Sequence, residues 1–304
     1  MASKRGFLQT LKKNHSWILF LAPTVIVLLG LVVFPLVFSL SLSLHDWNVI
    51  RTAKWKFIGL GNYSTILFED PYFRKAFLVT ALYLVGTVPI QFALGLGVAL
   101  ILYRITRKII GLLRTTMVIP AIMTPIVVGI IWRLMYNPDM GMLNYLLSLI
   151  GLPPVNWTGM PLSALPSVMM ADIWEWTPFM ALIMLAGLQA LPREPLEAAV
   201  VDGASNWQTL RLIILPLMSP VMLVAILIRL MDSFKTFDLI FVLTQGGPGM
   251  STEVLNYYTY RYGFKFFHMG YASALSWLLV IVLNVIAIVL GRTLRSRGIY
   301  AAGA

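Results

Sequence analysis

Reactive chemistry has few residues to work with in this 304-residue chain. There is no cysteine, which removes disulfides, iron–sulfur clusters and thiolate metal sites. The three histidines, His15, His45 and His268, are too scattered to make a metal-ligand set. No G-x-x-x-x-G-K-[ST] segment occurs, so the sequence offers no P-loop for ATP. What stands out is charge set among apolar neighbours. Arg229, Asp232, Lys235 and Asp238 follow one another at three-residue spacing, which puts opposite charges within pairing reach on a helix. Asp172, Trp174, Glu175 and Trp176 form a second group, with Asp172 and Glu175 on one helix face. Gln91, Trp132, Arg133 and Asn284 are more isolated and suit interhelical hydrogen bonds and anchoring. None of these sets is a nucleophile–base pair. The chemistry available is ion pairing, hydrogen bonding and aromatic stacking.

The surroundings of those charges decide what they can do. Apolar residues make up 59% of the chain and charged ones 12%, against about 45–50% and about 25% in soluble domains. The apolar residues come in repeated runs of roughly 20, the length a helix needs to cross a bilayer. The reading is an all-α membrane protein with six transmembrane helices, at about 17–44, 76–103, 115–135, 164–191, 217–243 and 271–290. Pro120 and Pro125 are expected to bend the third. The first run is too long for the h-region of a signal peptide and has no small-residue cleavage site.

A net charge of +11 would point to nucleic acid in a soluble protein. Here the cations sit at the ends of apolar runs and read as topology signals. Lys4, Arg5, Lys12, Lys13, Arg104, Arg107, Lys108, Arg114, Arg193, Arg211, Arg292, Arg295 and Arg297 fall on one side. Arg51, Lys54, Lys56, Arg74, Lys75, Arg261 and Lys265 fall on the other, over longer loops. The bias places both termini in the cytoplasm of a cell (inner or plasma) membrane. The expected organisation is a cytoplasmic N-terminus at 1–16, a first span and outer loop at 17–75, a core at 76–292 and a cytoplasmic tail at 293–304.

That topology puts 192–216 in the cytoplasm. Pro192 and Pro195 suit a helix start, and Glu194 and Glu197 suit its positive end. Gly203 allows a sharp turn. A second helical piece is expected over about 205–215, with Pro216 at the start of the fifth span. Two readings are open on these residues: an amphipathic connector, or an element that docks a partner.

The spacing Glu197-Ala198-Ala199, Gly203, Ile213, Leu215, Pro216, together with Asp202 in EAAVVDGAS, resembles the cytoplasmic loop of permease subunits of binding-protein-dependent ABC importers. WKFIGLGNYSTIL, YNPDMGMLNYLL, DIWEWTPF, LAGLQALP and DLIFVLTQGGPG are similar to segments of its carbohydrate-uptake branch, the maltose/glycerol-phosphate-like family, in the same order. The resemblance covers about residues 17 to 292. It implies a type I importer fold whose coupling helices, at 192–216, sit in a cleft of a separate ATPase subunit. Glu197 would pair with a basic residue there, and Gly203 would hold the turn. ATP and Mg would be bound by the ATPase dimer, with no cofactor or metal on this chain and no catalytic residue. A second homologous permease, the lipid bilayer and an extracytoplasmic binding protein docking near TQGGPG would be the other partners, and nucleic acid would not.

The intramembrane charges then have two open roles. Trp174, Glu175, Arg229, Asp232, Phe234, Lys235 and Phe237 could line a sugar path, with aromatic faces against sugar rings and polar groups on hydroxyls. Alternatively the charges neutralise one another and hold two subunits together, and Trp174 and Trp176 form an interfacial belt. Asp partners for Arg229 and Lys235 tilt the reading away from an anionic substrate and toward a neutral sugar; a polyol or a glycerol phosphate ester is the alternative cargo. An ion-driven secondary transporter is the alternative of another class; it predicts inverted repeats, and no clear internal repeat is visible.

Overall fold

The structure, a computed structural model, describes residues 16–51, 55–104 and 107–296. The expected roles of Lys4, Arg5, Lys12, Lys13, Lys54 and Arg297 therefore lie outside the described residues, as does the tail from 297 onward. The described residues form two compact units: those up to 66 with 262–277, and those of 67–261 with those from 278 onward.

In the first unit, helix α1 (Ser16–Leu28) passes through a π turn at Leu29–Val33 into α2 (Phe34–Ser43). Over Phe20–Ser43 it is apolar enough to cross a membrane, and most of its side chains are exposed. A two-stranded antiparallel ribbon follows, β1 (His45–Asp46) with β2 (Lys56–Phe57). Trp47 stacks on Trp55 at 5.3 Å between ring centroids. Asn48 accepts from the amides of Ile50 and Arg51 and donates to the Phe266 carbonyl at 3.2 Å. The short helix α3 (Gly61–Ser64) completes this part.

The second unit is built on α4 (Pro71–Arg104) and α8 (Pro161–Gln189). Small residues let them approach closely: a Cβ on Gly95 would come within 2.7 Å of Met180 Cβ and 3.0 Å of the Ala181 backbone nitrogen. Ala99, Leu102, Met180, Met184, Leu188 and Met218 pack into one core cluster; Tyr83, Trp132, Tyr136, Val168, Ile240 and Tyr257 belong to another. Both helices are longer than the 20 or so residues a bilayer requires.

Between them the expected third span is not continuous. Helix α5 (Arg107–Ile122) and α6 (Pro125–Met135) meet at 96°. The break falls at Thr124, whose ψ of 141° is what a following proline imposes; Pro120 stays within its helix. The loop after α6 contains a helix the sequence did not announce, α7 (Met142–Leu149). Buried Asn144 staples that loop: it donates to the carbonyls of Pro138 and Val155 and accepts from the Val155 amide and Trp157 Nε1.

Helix α9 (Arg193–Val201) follows, then α10 (Asn206–Thr209), which runs through a π turn at Leu210–Ile214 into α11 (Leu215–Phe234). The expected separate piece before Pro216 is thus the opening of one apolar helix, Asn206–Phe234. That helix also stops well short of the expected 243. Residues 235–237 are non-helical, and α12 (Asp238–Leu243) resumes after them. Helix α13 (Leu255–Tyr260) and the final α14 (Met269–Ser296) complete the described chain. Among the described residues, five helices are long and apolar enough to span a membrane, six if the bent pair counts as one.

Candidate functional site

The stretch 193–216 folds as an elbow. Pro192, extended at ψ 139°, precedes the first turn of α9. Its far end closes as a Schellman motif: the Ala204 amide donates to the Ala199 carbonyl at 2.9 Å, and the Gly203 amide to Val200 at 3.1 Å. Gly203 has φ of +70°, and a Cβ added there would meet nothing within 4 Å, so backbone conformation, not space, selects glycine. The next helix starts at once with a capping box. Ser205 Oγ accepts from the Gln208 amide, and Gln208 Oε1 accepts from the Ser205 amide at 2.8 Å. The S-x-x-Q spacing was a readable signal for it.

Glu197, Ala198, Asp202, Gly203 and Pro216 are exposed on this elbow. Ala199 is buried, and Ile213 and Leu215 are half-buried where the second arm enters the bundle. The arms also present large apolar side chains to the outside: Val200 is 76% exposed, Val201 86% and Trp207 66%.

A second site lies where α11 breaks. A polar cavity of about 130 Å³ is bounded there by α8, the end of α11 and residues 235–239. Non-helical backbone between apolar helices is tolerated where it lines a cavity, and Lys235, Thr236 and Phe237 do so. Its charged wall is organised by Arg229, which is 1% exposed. Arg229 donates to both carboxylate oxygens of Asp172 at 2.6 Å, to Asp232 at 2.6 Å and, through Nε, to Gln91 Oε1 at 2.8 Å. Gln91 in turn donates to Asp172 Oδ2 at 2.8 Å. The guanidinium also sits 4.6 Å over the Trp176 ring. One cation thereby joins α4, α8 and α11.

Of the predicted path residues, the cavity collects Glu175, Arg229, Asp232, Lys235 and Phe237. Two stand outside it. Trp174 is on another face of α8, since each residue turns a helix by about 100°; it packs on Trp132 and lines a separate apolar cavity of about 600 Å³. Phe234 is buried in the bundle at 4% exposure. Trp174 and Trp176 lie near the middle of Pro161–Gln189. Lys235 faces Asp232 at 4.0 Å rather than Asp238. Ser233 and Thr236 also line the cavity, and no spacing marked them beforehand.

The sequence matches, over residues 1–297, the family described as binding-protein-dependent transport system inner membrane component. It is 40% identical over 282 residues to the probable ABC transporter permease protein y4oQ of Sinorhizobium fredii, covering 92% of this chain and 90% of that protein. It is 37% identical over 277 residues to the trehalose/maltose transport system permease protein MalF of Thermococcus litoralis, covering 90% and 92% respectively. A chain of the bacterial alginate ABC transporter, crystallised with an alginate pentasaccharide-bound periplasmic protein, shares the fold at a TM-score of 0.81. The identity there is 24%, over 95% of this chain and 96% of that one.

Proposed function

Since the chain belongs to the family of inner membrane components of binding-protein-dependent transport systems, we propose that it is a permease subunit of an ATP-driven importer of a sugar or oligosaccharide. The sugar assignment is supported by the trehalose/maltose permease among its relatives. A second permease completes the translocation path, and a binding protein delivers substrate to the outer loops. A separate ATPase dimer holds ATP and Mg. Both termini and the elbow at 193–216 face the cytoplasm.

The elbow is the observation that carries this reading. A helix pair fixed by a Schellman motif and a capping box transmits displacement instead of absorbing it. Its second arm is continuous with Asn206–Phe234, the helix that carries Arg229 to the cavity. Movement imposed on the elbow by nucleotide-driven closure would therefore reach the charged site along one continuous helix. Coupling requires that ATP and the loaded binding protein both favour the same state of the permease.

The test replaces Glu197 by Lys and Gly203 by Asp. Both variants are expected to reach the membrane yet lose sugar uptake and release the ATPase subunits on purification. Wild-type uptake by both would remove the elbow from the coupling path.

A further inference from the structure

Away from the charged cavity, an apolar cleft of about 450 Å³ opens among α4, α13 and α14. Phe77, Leu78, Leu255, Leu278, Leu279 and Val282 line it, and Arg74 is its one charged residue. Its size is that of a small-molecule site. One wall is fixed, because the Leu255 amide donates to Thr80 Oγ1 at 2.9 Å and so ties α13 to α4. Phe77 and Leu78 are 44% and 61% exposed, so the cleft opens outward from the bundle.

Arg74 is only partly engaged. One of its N–H groups donates to the Phe68 carbonyl at 2.8 Å, and none of the ion pairs among the described residues includes it. A guanidinium has five donors in a fork that fits two phosphate oxygens at once. Its place suits that use. Arg74 lies one turn inside the Pro71 end of α4, where headgroups stand around a helix that crosses a bilayer. Leu278, Leu279 and Val282 fall near the middle of α14, Met269–Ser296. The cleft therefore asks for an anionic group at one end and a long apolar body at the other. A phospholipid carries both, and it is the solvent of a membrane chain. No carboxylate lines the cleft, so the ammonium of a zwitterionic headgroup would find no counter-charge there. Cations beside clefts between spans are suited to anionic headgroups.

We propose that this cleft is a binding site for an anionic phospholipid, with the phosphate on Arg74 and an acyl chain along Leu78, Leu279 and Val282. The site is independent of the transported cargo. The experiment places the purified protein, with the subunits that accompany it, in phosphatidylcholine nanodiscs. These contain a small fraction of phosphatidylglycerol or phosphatidylcholine bearing a diazirine in one acyl chain, and the crosslinked peptides are mapped by mass spectrometry. The glycerol lipid is expected to label 73–82 and 278–282 at least fivefold more than the choline lipid. Arg74→Gln should reduce that preference to less than twofold, and Leu279→Trp, which fills the cleft, should reduce labelling by both. Equal labelling by the two lipids in wild type, a preference unchanged in Arg74→Gln, or no labelling of the cleft by either would each overturn the proposal; the last is the result if the second permease covers this face. If Arg74→Gln fails to assemble, competition on wild type decides: excess unlabelled phosphatidylglycerol must suppress the crosslink at least fivefold where phosphatidylethanolamine does not.

Discussion

Removing the Arg229 guanidinium would strand Asp172, a carboxylate whose side chain is 3% exposed. Breaking a buried pair from one side costs about 3–5 kcal/mol, whereas replacing both partners by apolar groups of similar size is often neutral. Arg229→Met is therefore expected to lower the melting temperature of the detergent-purified protein sharply, and Arg229→Met with Asp172→Leu to recover most of the loss. Equal destabilisation in single and double variants would show that the pair is not what holds these helices. The i, i+3 partner Asp232 could be read from spacing. Asp172 and Gln91, 57 and 138 residues away, could not, because their approach depends on how α4, α8 and α11 pack. The same holds for Ser233: serines in apolar runs commonly bond their own helix, and only its position beside the cavity distinguishes it.

At the scale of elements, the elbow owes its shape to local sequence. Its turn needs a residue at φ +70°, where an L side chain costs about 1–2 kcal/mol. Losing a serine cap costs about 1 kcal/mol. Gly203→Ala and Ser205→Ala are thus expected to speed amide hydrogen exchange in 199–209 while leaving α4 and α8 protected, since local openings draw on local stability. Uniform loss of protection across the protein would contradict a self-contained elbow. This element was legible because glycine at C′ and the S-x-x-Q box act through neighbours in sequence. The ends of the fifth span were not. An apolar run resumes at Leu239–Leu243 beyond Lys235, Thr236 and Asp238, so a span drawn to the last apolar residue passes over the break at 235–237, which lines the cavity. The third span shows the intermediate case: its prolines announced a bend, and the pre-proline restriction at Thr124 placed it, but an angle of 96° follows from packing.

For the whole molecule, topology is the property to measure. The absence of cysteine allows single cysteines to be introduced without background. A membrane-impermeant maleimide is expected to label Met140→Cys, at a position 92% exposed, in intact cells, and Ala204→Cys only after the membrane is opened. Labelling of position 204 from outside would invert the arrangement and separate the elbow from any cytoplasmic ATPase. The exposed apolar side chains along Phe20–Ser43 fit a chain whose solvent is lipid.

Sequence by itself determined the helical membrane class, the apolar runs and the turn at Gly203 that shapes the elbow. Each of these rests on composition or on contacts between near neighbours along the chain. The tertiary structure alone decided which charges share a cavity, that Arg229 is fully engaged, and that Glu175 and Ser233 are left without hydrogen-bond partners. Those outcomes depend on how distant helices register against one another, and no spacing along a single helix encodes that.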